Sequence, residues 1–313
     1  MISVPLPRIH TVQHRLKLFF ALSRTPHGVI DMAAPVLAAL LCLGHFPPAA
    51  VVVVGLITVF AGYTAVYALN DLVDLHADRE KVGIGGYNDN ENYLDGVMVR
   101  HPMAKGMLRP AAGLAWASAW AAVALVGAYW LNPVCVYLFV AGCILEGVYC
   151  KLWRVTPARA LVNGAVKTLG ALAAVFAVDP TPPVFFTAVL FAWLFAWEIG
   201  GQNIPNDWTD IEEDRHFKAK TIPIRFGLHR ATLLVVFSLV ATLFLSMILL
   251  WVSPLAFSPL FLLAALAVNV YFLLYPAYLL SRRRRRADAM ALFNKASHYP
   301  LAMLTLTLAA MLR

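Results

Sequence analysis

Residues 49–78 read AAVVVVGLITVFAGYTAVYAL-Asn70-Asp71-Leu-Val-Asp74-Leu-His-Ala-Asp78: an uncharged apolar run that ends in an Asn-Asp-x-x-Asp-x-x-x-Asp motif. A second copy, Asn206-Asp207-Trp-Thr-Asp210-Ile-Glu-Glu-Asp214, closes another apolar run 136 residues later. A bilayer-crossing helix needs about 20 apolar residues, so the first run reads as a transmembrane span with a carboxylate cluster at its end. On a helix, residues three and four apart share a face. The spacing therefore predicts that Asn70, Asp71, Asp74 and Asp78 lie along one stripe, and that Asn206, Asp207, Asp210 and Asp214 do the same. Three carboxylates on one stripe repel each other. Hard divalent cations relieve that repulsion, and magnesium is commonly shared between a few carboxylates and substrate phosphates.

The rest of the chain fits a membrane setting. Of the 313 residues 61% are hydrophobic and 13% charged, against roughly 45–50% and 25% in soluble domains. Nine apolar segments can be read, at 28–46, 49–69, 111–130, 133–150, 158–178, 183–203, 230–251, 258–280 and 296–313. No soluble domain is left over, so the expectation is one integral-membrane domain over 1–313, an all-α protein with nine transmembrane helices around a central cavity. The net charge of +8 is no sign of nucleic-acid binding. Every Lys and Arg except Lys167 and Arg313 falls in the N-terminal segment or in the loops after the second, fourth, sixth and eighth spans. The loops between are bare of them. By the positive-inside rule the N-terminus and both acidic motifs face the cytoplasm, in the cell's inner or plasma membrane. Arg282 to Arg286 then reads as a topology anchor touching anionic lipid. Residues Arg15 to Ser23 read as an interfacial helix, and the four cysteines as small buried hydrophobes.

The motifs are four spans apart, so both emerge on the same side. Each precedes a basic, Pro-containing tail: Arg100-His101-Pro102 with Lys105 and Arg109-Pro110, and Lys218-Ala-Lys220-Thr-Ile-Pro223 with Arg225. This predicts a parallel internal repeat of two four-helix-type halves, with motif loops at 70–110 and 204–230. Between the first motif and its tail lies a Gly/Asn/Asp-rich insert, Val82 to Val99, which reads as a lid or a solvated loop.

A phosphate-bearing substrate needs cations beyond the metal. The candidates are Lys105, Arg109, Lys151, Lys220, Arg225 and Arg24, together with Lys167. An intramembrane Lys is costly and marks function by default; Lys167 either binds phosphate or pairs with Glu146 or Glu198. Asn163 shares its face. Glu198 and Gln202 lie one turn above the second motif, where they and Asn206 can position it or an acceptor. His101 and His216 lie near the motifs. Phe60, Tyr63, Tyr67, Trp193 and Trp197 are aromatic faces that could stabilise a cation. No residue stands out as a base.

These residues resemble the UbiA superfamily of intramembrane prenyltransferases. Asn70 to Asp78 fits that family's first motif in full, and Asp207 to Asp214 with Lys220 to Gly227 fits the second. Tyr149-Cys-Lys151 and Arg24-Thr-Pro26 are similar to its fourth-helix and first-helix signatures. The longer insert at 82–99 and Asn206 at the head of the second motif depart from the pattern. The resemblance implies nine helices and a Mg2+ cofactor. It assigns Asn70, Asp71, Asp74, Asp78, Asp207, Asp210 and Asp214 to metal-bound diphosphate, and Lys151, Lys220 and Arg109 to phosphate. The expected partners are a polyprenyl diphosphate, a lipophilic and preferably aromatic acceptor, and membrane lipid. Tyr67, Tyr149 and Asn163 are expected on the acceptor side of the cavity. Phosphoribosyl transfer to a polyprenyl phosphate, terpene cyclisation and, remotely, cation transport are the competing functions. No motif specifies acceptor identity, prenyl chain length or oligomeric state.

Overall fold

Several of the long apolar runs are not continuous α-helices, and the breaks fall where polar side chains enter the interior. The computed structural model describes residues 12–83, 96 and 98–312, and all regular structure among them is helical. Helix α1 (Val12–Leu22) precedes a first span made of α2 (Thr25–Asp31) and α3 (Ala33–Leu43). The helix is interrupted at Met32, where Pro35 has no N–H for the Asp31 carbonyl. Next come α4 (Ala49–Val73) and α5 (Leu75–Gly83), then α6 (Pro110–Leu131), α7 (Pro133–Lys151) and α8 (Arg159–Val178). Helix α9 (Val184–Trp197) runs through a π-helical turn, Glu198–Asn203, into α10 (Ile204–Thr209) and α11 (Ile211–His216). Helix α12 (Ile222–Val252) is kinked at Gly227, whose φ of 77° favours glycine. The chain ends in α13 (Pro259–Asn269), a second π turn, α14 (Tyr275–Arg283) and α15 (Arg286–Met311).

Eight segments are long and apolar enough to cross a membrane: 25–43, 49–73, 110–131, 133–151, 159–178, 184–209, 222–252 and 259–283. Helix α15 coincides with the expected ninth span but carries Arg286, Asp288, Lys295 and His298 in its first half. Among the described residues, then, eight of the nine expected spans have spanning character, and the ninth is a long helix of lower apolarity.

Helices α4, α6, α7 and α8 pack together, α9 packs on α12, and α3 bridges the groups by touching both α8 and α15. The core centres on Trp193, Tyr299, Leu37, Leu190 and Leu239, all fully buried. A short polar chain threads it. Trp193 Nε1 donates to Tyr299 Oη at 3.2 Å, and that hydroxyl donates to Asn269 Oδ1 at 3.0 Å. Such buried bonds stabilise helix association where lipid tails give no hydrophobic gain. Helix α1 docks through Leu18 and Leu22 against Met103 and Leu108, and Phe19 stacks on Trp116 at 4.9 Å. It thus packs against the basic tail of the first motif. Of the insert, residues 84–95 and 97 lie outside the described residues, as do Arg8, His10 and Arg313.

Candidate active site

Both acidic motifs line one cavity of about 540 Å³. Its polar end holds Asn70, Asp74, Asp78, Asn206, Asp207, Asp210 and Asp214, and its apolar end is lined by Phe46, Val51, Val52, Leu56, Leu131 and Val178.

The helical-stripe expectation needs correction. The helix breaks in the middle of each motif: Asp74 ends α4 with φ −88° and ψ 0°, and Asp210 ends α10 with φ −104° and ψ 12°. Asp71 and Asp78 therefore reach each other around a bend. His101, held at a φ of 50°, places Nδ1 3.1 Å from Asp71 Oδ1 and 3.0 Å from Asp78 Oδ2. Ligand atoms of these three residues lie within 4.8 Å of one another. Burial alone would lower the His101 imidazole, but the two carboxylates outweigh it and hold it above its ordinary value. Asp71 is buried against Arg24 and His101 and does not line the cavity. Asn70 is oriented on both sides: its Nδ2 donates to Glu146 Oε1 at 2.6 Å, and its Oδ1 accepts from Arg24 Nη2 at 3.2 Å. Cys150, read as a plain hydrophobe, accepts from the same amide at 3.4 Å.

The second motif hangs from the π turn. One extra residue in that turn rotates the following helix, so that Glu198, Gln202, Asn203, Asn206 and Asp207 all reach the cavity wall. Gly200 and Gly201 make room for it: a Cβ at Gly200 would sit 2.7 Å from Ser238 Cβ, and one at Gly201 2.9 Å from Ala296 Cβ. Asp214 accepts from Trp153 Nε1 at 3.1 Å, and Asp207 Oδ1 lies 3.6 Å from Arg159 Nη2. Burial, then the neighbouring Asp207, push the Asp214 carboxyl up to about 7, with Lys81 opposing. Burial and Asp78 raise Asp74 likewise. Lys81 and Arg159 line the same cavity, and each favours the charged form of both Asp74 and Asp214.

The seven expected cations divide. Arg24 and Lys167 line the cavity; Lys105, Arg109, Lys151, Lys220 and Arg225 do not. Lys151, Arg109, Lys220 and Arg225 are exposed, and the backbone N–H of Lys220 bonds Trp153 O. Lys167 pairs with neither Glu146 nor Glu198. Its Nζ donates to Asp31 Oδ2 and to Tyr67 Oη, each at 2.5 Å, and Tyr67 Oη also donates to Asp31. The cavity instead gains Lys81, Arg100 and Arg159. Arg159 was legible as the first member of a stripe with Asn163 and Lys167 at four-residue spacing on an otherwise apolar helix. Asp31 was legible as the single acid of the first span. Tyr149 Oη accepts from Arg159 and, at 3.4 Å, from Asn203 Nδ2. Gln202 is tied to α15 through Phe293 O and Ser297 Oγ. Of the aromatics, Tyr63 and Tyr67 line the cavity. Phe60, Trp193 and Trp197 pack on Trp120, Tyr299 and Ala296.

The donor set suits a hard divalent cation. It is almost wholly oxygen, and Asp207 Oδ2 is buried with no hydrogen-bond partner among the described residues.

A helical bundle with two facing carboxylate clusters over a lipophilic chamber is the architecture of an intramembrane transferase of lipid diphosphates. Residues 32–298 match the UbiA prenyltransferase family, and the chain belongs to it as an integral-membrane prenyltransferase. A curated relative, the digeranylgeranylglyceryl phosphate synthase of Thermococcus sibiricus, is 24% identical over 233 residues, covering 74% of this chain and 77% of the relative. The fold matches the apo UbiA homolog of Aeropyrum pernix K1 with a TM-score of 0.69 at 18% identity, over 91% of this chain and 97% of that one. It also matches a UbiA homolog of Archaeoglobus fulgidus bound to DMAPP and Mg2+, with a TM-score of 0.67 at 16% identity, over 94% and 98%.

Proposed function

We propose that this protein transfers a prenyl group from a prenyl diphosphate to a lipophilic, hydroxyl-bearing acceptor, with Mg2+ held at the two motifs. The observation that carries this reading is the single cavity with both acidic clusters at one end and an apolar channel at the other. Asn70, Asp74 and Asp78 would hold metal from one side, with Asp71 orienting them through His101. Asp207, Asp210 and Asp214 would hold it from the other. Bound there, Mg2+ neutralises diphosphate and eases its departure.

The chain's own residues supply the remaining steps. Arg24, Lys81, Arg100 and Arg159 meet the charge that develops on the leaving oxygens, a preorganised arrangement worth more in a water-poor site than in bulk. The apolar end takes the isoprenoid tail and excludes water from the allylic cation. Tyr63 and Tyr67 line the cavity, but Lys167 lies 5.9 and 4.8 Å from their ring centroids, so these faces already meet a cation. The motif loops and basic tails would face the cytoplasm. That the relative's name contains a glyceryl phosphate widens the acceptor class beyond the aromatic one suggested by sequence.

The test uses purified protein in nanodiscs and labelled geranyl diphosphate, with either a long-chain alkyl phenol or a monoether glycerol phosphate, with and without EDTA. Label moving to an acceptor only without chelator is the expected result. Cyclised hydrocarbon, or turnover of phosphoribosyl diphosphate in place of geranyl diphosphate, would overturn it.

A further inference from the structure

Glu198 is the first residue of the π-helical turn that leads into the second motif, in the middle of an apolar helix, and its side chain lines the cavity with 2% of the residue exposed. One carboxylate oxygen is fixed: Oε1 accepts from Asn163 Nδ2 at 2.7 Å. The other is not: Oε2 is buried without a hydrogen-bond partner among the described residues. The nearby Lys167 does not donate to it; its ammonium is turned to Asp31 and Tyr67. A buried, oriented carboxylate oxygen with no donor is costly to keep, and here it belongs to a residue that lines the chamber where the proposed reaction occurs.

We infer that Glu198 Oε2 receives the acceptor's hydroxyl and takes its proton. The inference rests on the transferase reading above. As the allylic C–O bond breaks, its electron pair leaves with the diphosphate. The acceptor oxygen bonds the allylic carbon, and its proton passes to Oε2. Asn163 holds the carboxylate in place throughout. The same geometry sets the acceptor's chemistry. The part of the molecule that reaches Glu198 is a neutral O–H donor, since an acidic group there would face a carboxylate. A phosphate or carboxylate on the acceptor must therefore point away, toward the motif cations.

The experiment compares wild type, Glu198→Gln and Glu198→Asp in nanodiscs. Two rates are measured with labelled geranyl diphosphate and Mg2+: transfer to the alkyl phenol or monoether glycerol phosphate, and release of diphosphate without acceptor. Glu198→Gln keeps the shape and the Asn163 contact but cannot take a proton. Its transfer rate should fall about 100-fold or more, the scale of a lost general base, and by at least about tenfold more than acceptor-free diphosphate release. Glu198→Asp should fall between. If Glu198→Gln fails to fold, a loss of transfer but not of release in Glu198→Asp carries the same conclusion. Transfer within about threefold of wild type in whichever variant folds overturns the assignment. So does an equal fall in both rates, which would mark Glu198 as structural. A wild type that releases diphosphate but prenylates neither probe overturns the hydroxyl-acceptor assignment while sparing the metal site. A wild type inert in both assays overturns the transferase reading and this inference with it.

Discussion

Arg159 offers the sharpest test of how the two motifs work together. Its guanidinium is buried, lies 3.6 Å from Asp207 Oδ1, rests 4.3 Å over the Tyr149 ring and donates to the Tyr149 hydroxyl. At an effective dielectric of about 20, a unit pair at that separation attracts by about 4–5 kcal/mol before desolvation is charged against it. Arg159→Met keeps the stem's volume and removes the charge. In the free protein the facing carboxylates lose a counter-charge, and truncating one partner of a buried pair costs about 3–5 kcal/mol. In turnover the loss falls on the developing diphosphate charge, where one preorganised donor is worth about 2.7–4 kcal/mol, or about 10²- to 10³-fold in rate. The assay is prenyl transfer from labelled geranyl diphosphate in nanodiscs, with thermal unfolding followed in parallel. Transfer should fall by that factor, and added Mg2+ should raise the variant's Tm more than the wild type's, because the metal replaces part of the missing charge. A variant that turns over within threefold of wild type would refute the placement of Arg159 on the leaving group.

Three further outcomes are expected. Asp74→Ala and Asp210→Ala should each reduce transfer below detection while the protein remains folded and monodisperse in detergent; near-normal turnover in either counts against the metal assignment. The folded state holds the Asp214 proton up to about 7 against an ordinary 3.8, and Asp74 is raised too. The folded metal-free protein therefore favours the protonated acids, and stability falls as pH rises from about 4 to about 7. His101, also raised, loses its contribution in the same direction. With EDTA, the Tm should be higher at pH 5.5 than at pH 8, and Mg2+ should restore it at pH 8; the opposite order would show that the carboxylates are not metal-hungry. Lys167→Met should destabilise by about 3–5 kcal/mol by removing the cation from Asp31, which keeps only the Tyr67 hydroxyl and His27 at 3.6 Å, and the double variant with Asp31→Asn should recover most of it. A double variant as unstable as the sum of both singles would break the proposed pairing.

The helices and motifs were legible because length, apolarity and one-sided basic loops act over many residues and tolerate small errors. The site's wiring was not. Whether a loop cation reaches the cavity depends on one or two backbone angles. Arg109 becomes the exposed cap of α6, while Arg100 and His101 turn inward around a residue at positive φ. Lys81 counts in sequence only as one of the one-sided loop charges, yet α5 brings it over Trp153 at 4.3 Å and onto the cavity wall. The π turn was hidden too, since its single extra residue leaves no mark in a 3.6-residue period. Only Gly200, Gly201 and Pro205 in sequence hint that the helix is irregular there.

The breaks at Asp74 and Asp210 bear on how such a site is built twice. These residues are 136 positions apart, the same offset that separates the motifs, and each ends one helix and starts another with ψ near zero. In each case the next motif acid returns its N–H to the breaking residue: Asp78 N to Asp74 O at 2.9 Å, and Asp214 N to Asp210 O at 2.8 Å. A left-handed residue also lies beyond each motif, His101 in one case and Lys218 in the other, at different distances from it. A straight helix would send the last carboxylate up the axis, out toward solvent. A bend at the middle acid folds it back beside the first, which is what a compact cation with oxygen ligands requires. The recurrence of bend and return bond at one offset supports our proposal of a parallel repeat, in which one acidic corner was duplicated and set against its copy.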